Sequence, residues 1–173
     1  MAFSKKEIIM LKIDIRWSDI DANRHLANSA YMNFMSHARL EYMKKAGIGQ
    51  KELEEHHLAP IVFYENIFYF REVLPEETLY VSVELKGLSE GGMFFQFIHN
   101  IYNEEGQNKA SCEMMGAWMS MKTRKLTTLP KIILENFLRF NKSDDFRTLT
   151  KKDTRKFDVE PKDIDKDQIK TTI

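Results

Sequence analysis

Between Pro60 and Met121 the chain runs through four strand-like segments with no helix between them, and this constrains the fold more than any other feature. Residues 61–73 (IVFYENIFYFREV) carry aromatic and β-branched side chains on both faces. Residues 78–88 alternate Leu79, Val81, Val83 and Leu85 against Tyr80, Ser82, Glu84 and Lys86, the period of two that marks a strand. Residues 92–102 and 109–121 supply two more, joined by the turn-rich NEEGQN. Gly91-Gly92 favours a tight connection ahead of the third of these.

Upstream, residues 9–17 alternate Ile9, Leu11, Ile13, Ile15 and Trp17 with polar neighbours and read as a further strand. A polar, aperiodic loop, SDIDANRHLAN, follows it. Then Tyr31, Phe34, Met35, Ala38 and Tyr42 fall on one helical face. Asn28 or Ser29 is positioned to cap that helix and Gly47 to end it. A shorter acidic stretch, GQKELEEHH, has the length of a helical turn or two. Residues 130–140 read as a short helix with Pro130 near its first turn. Strand, long helix and four strands make an α+β fold with one antiparallel five-stranded sheet. The fourth and fifth strands are apolar on both faces, so each face needs a cover. The helix covers one, and a subunit contact is the simplest cover for the other.

After Asn141 the composition changes: nine basic and eight acidic residues fall among the last 33. Residues 1–140 therefore read as the domain. Residues 141–173 read as a charged tail or appendage whose short helices or strands pack on it. Lys plus Arg and Asp plus Glu both number 26. A net charge of zero gives no support for a nucleic-acid partner. No apolar run reaches the roughly 18–20 residues of a membrane span, and the N-terminus lacks the apolar stretch of a signal peptide. A cytoplasmic location is the expectation. Cys112, the single cysteine, has no intrachain disulfide partner.

The loop before the helix holds Asp19, Asp21, Asn23 and His25 at spacing two. One reading is a polar loop of local turns. A calcium loop is excluded, because the sixth position would need Gly and is Arg24, and the twelfth would need Glu and is Ala30. No zinc-ligand pattern occurs either, so no metal or cofactor is expected. A third reading uses position. A carboxylate just before a helix start lies beside unpaired backbone N–H groups of the kind that hold an oxyanion. It can then serve as general base or nucleophile in acyl transfer.

RWSDIDANRHLANSAYMNFMSHARLEYM resembles the signature of the hot dog fold thioesterases, the 4-hydroxybenzoyl-CoA and acyl-CoA thioesterase group. Its D-x-D-x-N-x-H-L-x-N-x-x-Y pattern is also similar to the acyl-ACP thioesterases. The likeness extends through the last three strands and covers roughly residues 8–140. It implies a long helix wrapped by the sheet, a homodimer or homotetramer, and a substrate bound at the subunit interface. It implies hydrolysis of an acyl-CoA, or of an acyl-ACP, without a cofactor. The alternative is a hot dog scaffold that binds an acyl thioester or a protein partner without hydrolysing it.

Carried over residue by residue, the resemblance places the catalytic carboxylate on Asp21, with Asn23 and His25 as assisting amide and imidazole. It places the oxyanion donor on the backbone N–H near Asn28. Asp19 has a structural role. Where the group commonly has F-E-E-A-R on the helix, this chain has Met35, Ser36, His37, Ala38 and Arg39, which puts more weight on Asp21. Tyr31, Phe34 and Met35 are candidate lining for the acyl group, as are Phe63, Phe68, Phe94, Phe95, Met114 and Met119, and for most of these a plain core position competes. Glu65 is a supporting carboxylate or an ordinary surface residue. Lys122, Arg124 and Lys125 contact the phosphates of coenzyme A or form a solvated strand end. His99 reads as a sheet-surface residue and Cys112 as a small buried hydrophobe.

Overall fold

The computed structural model describes residues 9–169; the outermost parts of the two segments expected above, residues 1–8 and 170–173, lie outside the described residues. The expected first strand is shorter than its alternation suggests. β1 is Met10–Asp14, and Trp17–Asp19 is a turn of 3-10 helix. The cause is Asp19, whose carboxylate accepts from the Arg16 backbone N–H at 2.9 Å and from its guanidinium at 3.0 Å and 3.1 Å. These bonds hold the Asp19 carboxyl below the usual carboxylate range although burial opposes them. The chain is turned toward the loop instead of running on, and Trp17 is left 89% exposed.

α1 is Asn28–Lys45, 18 residues and roughly 27 Å long. Its N-cap is Ala27, which offers no side-chain cap; Asn28 instead accepts from the Ser29 N–H at 2.9 Å. At the far end Gly47 has φ 72°, and the Gly47 and Ile48 N–H groups reach back to the carbonyls of Lys44 and Met43. That double bond pattern is how glycine closes a helix. Tyr31, Phe34, Met35 and Ala38 are buried as the stripe requires, and so is Arg39. α2 is the short acidic Gln50–Glu55.

β2 (Leu58–Tyr69), β3 (Thr78–Ser89), β4 (Phe94–Tyr102) and β5 (Asn108–Ser120) follow. The spatial order is β1-β3-β4-β5-β2, each pair antiparallel, which makes β2 an edge. Gly91 and Gly92, with φ near 70°, make the tight connection between β3 and β4. A Cβ on Gly92 would stand 2.8 Å from the Leu129 side chain. One face of the sheet meets α1: Val81, Val83, Phe95, Phe97, Cys112 and Met114 join Tyr31, Phe34, Met35 and Ala38 in the main core. α3, Lys131–Leu138, closes it by setting Phe137 among Phe95, Phe97, Trp118 and Phe140 at 5.0–6.0 Å between ring centres.

Part of the other face is covered by the chain itself. β6, Lys142–Leu149, pairs parallel with the second half of β3. Its Leu149 packs with Phe94, Met115 and Ala117. Beyond β6 the chain crosses this face: Lys156 bonds Glu113 at 2.8 Å, and Phe157 meets the Tyr64 ring edge-on at 5.2 Å. The charged composition of KSDDFRTL hides a strand with only two apolar residues, Phe146 and Leu149. Removing residues 142–173 is expected to leave a folded domain, because the five antiparallel strands and the α1 core remain. Losing Leu149 alone should cost about 2–3 kcal/mol, a fall of roughly 5–10 °C in melting temperature. Unfolded or insoluble truncated protein would contradict this.

Candidate active site

The loop from Asp19 to Ala27 is a closed turn pinned at both ends. Ile20 bridges Leu26, the Ala27 N–H donates to the Asp19 carbonyl at 2.8 Å, and the Leu26 N–H donates to the Val73 carbonyl at 2.9 Å. Inside it, Asp21 is the hub. Its N–H donates to the His25 carbonyl at 2.9 Å. Its Oδ1 accepts from the Asn23 N–H at 2.8 Å and the His25 N–H at 3.3 Å. Arg24 takes the left-handed conformation at φ 63° to allow the tight return. The local-turn reading of the sequence therefore holds: the Asp21 carboxylate closes the loop through Oδ1. Among the described residues, Oδ2 of Asp21 has no such donor.

Asp21 lines an open cleft of ≈ 380 Å³ together with His25, Leu26, Asn28, Tyr31, Tyr69, Phe70, Arg71 and Glu72. Asn28 supplies the first N–H of α1, one of the donors that a helix start leaves unpaired. Tyr31 stands edge-on to Tyr69, ring centres 5.1 Å apart. Burial pushes its hydroxyl up to about 12, with the fields of Tyr69, Glu77 and Asp21 adding to the effect. At neutral pH it is an uncharged hydrogen-bond donor.

The His25 ring is paired with Glu72: its Nε2 meets Glu72 Oε2 at 3.1 Å. Glu72, with Tyr69, Phe70 and Arg71, was not legible as part of a site. Tyr69 ends β2 and the other three follow it as F-R-E, with no spacing relation to the loop; the Leu26–Val73 bond and the His25–Glu72 contact join the two segments.

Several expected site residues lie elsewhere. Asn23 is exposed and outside the cleft lining; its backbone N–H, not its amide, touches Asp21. Phe34 and Met35 are core residues, 5% and 0% exposed, because the cleft opens at the first turn of α1, where Asn28 and Tyr31 line it. Phe95 and Met114 are in the same core, Phe94 is on the opposite face, and Phe63 and Phe68 are exposed on β2. Glu65 is not in the cleft but 3.5 Å from Arg39. Lys122, Arg124 and Lys125 are exposed beyond the Ser120 end of β5. The Asn108 end of that strand is the one beside the cleft, where Arg71 donates to the Asn108 carbonyl at 2.8 Å. Thirteen residues of strand put roughly 40 Å between those ends.

His99 is a correction. It is fully buried on the helix side of the sheet, with Arg39 Nη1 3.1 Å from its Nε2 and the Ser82 carbonyl 3.3 Å from its Nδ1. Cys112 is the small buried residue expected, its thiol pushed up to about 12 by burial. Among the described residues, no group of three or more His, Cys, Asp or Glu side chains is arranged to hold a metal ion. No helix among them is long and apolar enough to cross a membrane.

Residues 15–137 match the family model of the thioesterase-like superfamily. No curated protein matches the chain. Solved structures share the fold. A hypothetical protein of Staphylococcus aureus, SAV2348, solved in complex with CoA, is 15% identical at a TM-score of 0.73, over 94% of this chain and 100% of that one. The probable thioesterase YbaW of Escherichia coli is 23% identical at 0.68, over 79% of this chain and 100% of its own. The DHNA-CoA thioesterase of Staphylococcus aureus is 19% identical at 0.68, over 75% and 88%.

Proposed function

The chain belongs to the thioesterase-like superfamily, and from that premise we propose that it is a cytoplasmic hydrolase of acyl-CoA thioesters, or of the same thioester on acyl carrier protein. The observation that carries this reading is the cleft itself. A carboxylate fixed by its own loop through Oδ1 shares it with the first turn of α1, whose N–H groups favour developing negative charge. Two of the similar structures were solved with coenzyme A, which supports that carrier.

In the proposed reaction Asp21 takes a proton from water as the water oxygen attacks the thioester carbon. The carbonyl oxygen becomes an oxyanion facing the Asn28 N–H. Collapse of the tetrahedral species breaks the carbon–sulfur bond, and the thiolate recovers the proton from Asp21. Direct attack by Asp21 through an acyl anhydride fits the same geometry. His25, held by Glu72, lines the cleft as the assisting group. The proposal is tested by free-thiol release across a panel of acyl-CoA substrates. Release by the wild type and its loss on Asp21→Asn are expected. Thioester binding without release would favour the non-catalytic scaffold instead.

We further propose that the protein works as a homodimer joined along β2. That strand is 12 residues long, its outer edge is unpaired among the described residues, and Val62, Phe63, Phe68 and Tyr69 on it are 40–50% exposed. An exposed apolar edge of that length invites strand pairing. Antiparallel pairing of two copies would bring the Lys122, Arg124 and Lys125 cluster of a second copy toward the cleft end of the sheet, which a single chain's own cluster does not reach. Light scattering at micromolar concentration is expected to give a mass of at least twice 20.4 kDa; a monomer mass would contradict the dimer and leave the basic cluster without a role at the cleft.

A further inference from the structure

The segment that carries Glu72 to the cleft is fastened by one buried residue that takes no part in the cleft itself. Lys109, the second residue of β5, is 6% exposed. Its carbonyl accepts from the Phe70 N–H at 2.8 Å and the Arg71 N–H at 3.2 Å. Its ammonium donates to the Glu72 carbonyl at 3.1 Å and to Glu77 Oε1 at 2.6 Å. Glu77 in turn accepts from the Leu74 N–H at 2.7 Å and from the Asn103 amide at 3.4 Å. Burial works against ionisation of Glu77, but the bonds from Lys109, Leu74 and Asn103 outweigh it and hold its carboxyl below the ordinary range.

A buried lysine with one carboxylate partner is a poor device for stability. Its desolvation roughly cancels the attraction, and an apolar residue of the same volume often does better. What this lysine does achieve is positional. Both ends of the 70–77 segment converge on it, and the segment's Val73 carbonyl receives the catalytic loop through Leu26. The Glu72 side chain is 64% exposed and would range freely on an untethered backbone. With its own carbonyl held by the ammonium, its carboxylate meets His25 at 3.1 Å.

We propose that Lys109 is a positioning residue for the cleft, acting through the Glu72 backbone to hold the Glu72–His25 contact. Only the kinetic part of the test rests on the thioesterase reading. Amide hydrogen exchange at Leu26 and Leu74 is compared in the wild type, Lys109→Met and Glu72→Gln. Exchange at both amides should be at least ~10-fold faster in Lys109→Met and unchanged in Glu72→Gln. Unchanged exchange in Lys109→Met overturns the proposal.

In thiol-release kinetics each single variant should lose about 10-fold in kcat with KM within about twofold. The double variant should be no worse than the worse single, because the two act on one contact. Losses that multiply to about 100-fold overturn the route through Glu72. If the wild type releases no thiol, the hydrolase reading fails and the exchange result alone decides the clamp. If Lys109→Met does not fold, Glu77→Gln, at a partly exposed position, replaces it in the same comparisons with the same outcomes.

Discussion

Asp21→Asn is expected to lower thioester turnover by at least ~100-fold, the usual scale for a lost general base, while the melting temperature stays unchanged. The structure makes this substitution unusually clean. The loop uses Asp21 through Oδ1, which accepts the Asn23 and His25 N–H groups, and an asparagine carbonyl accepts the same two bonds. The turn therefore persists, and what disappears is the basic and nucleophilic capacity of the second oxygen. His25→Ala should cost less, because the imidazole is paired to Glu72 and in the proposed reaction only assists. Near-normal turnover of Asp21→Asn, with the fold intact, would move the chemistry to another residue of the cleft, Glu72 first.

A second large effect belongs to stability. His99 is enclosed, with Arg39 3.1 Å from one ring nitrogen, the Ser82 carbonyl beside the other, and Cys112 opposite it on β5. Glu65 reaches Arg39, not the ring. Burial, reinforced by the Arg39 charge, pushes the His99 imidazole down to about 3, against the modest help of Ser82. An unfolded chain protonates the same ring near 6.5. Between those values the unfolded state binds a proton that the folded state refuses, so stability rises with pH across that window and falls on acidification. From pH 7 to 4.5 the wild type should lose about 2–3 kcal/mol on this account. His99→Gln keeps an acceptor for Arg39 and a donor for Ser82 but does not titrate. Urea unfolding at the two pH values should show the wild type losing that much more than the variant. Parallel losses would mean that His99 is protonated in the folded protein or escapes its enclosure.

The elements were largely fixed by local patterning. Alternation at Leu79, Val81, Val83 and Leu85, the stripe Tyr31, Phe34, Met35 and Ala38, and the turn glycines Gly47, Gly91 and Gly92 each act over a few residues, where period and backbone freedom decide. The Asp21 loop was legible for the same reason, since its carboxylate and the N–H groups it accepts are at most four residues apart. Assembly settled what local patterning left open. His99 and Arg39 lie 60 residues apart, and nothing near His99 shows that a guanidinium will close over it. His25 meets Glu72 where Leu26 bonds Val73, across a sequence gap that no local pattern spans. Phe34 and Met35, expected to line the acyl group, are core residues outside the cleft lining, because a helical stripe shows which side chains face inward, not where along the helix a cleft opens. The appendage was expected to pack as short helices or strands, but β6 could not be placed within it, because an edge strand buries few side chains and its position beside β3 depends on backbone groups that β1 leaves unpaired on β3. Short-range periodicity is written in single side chains; the site depends on contacts between distant segments, which only the packed chain brings within hydrogen-bond reach.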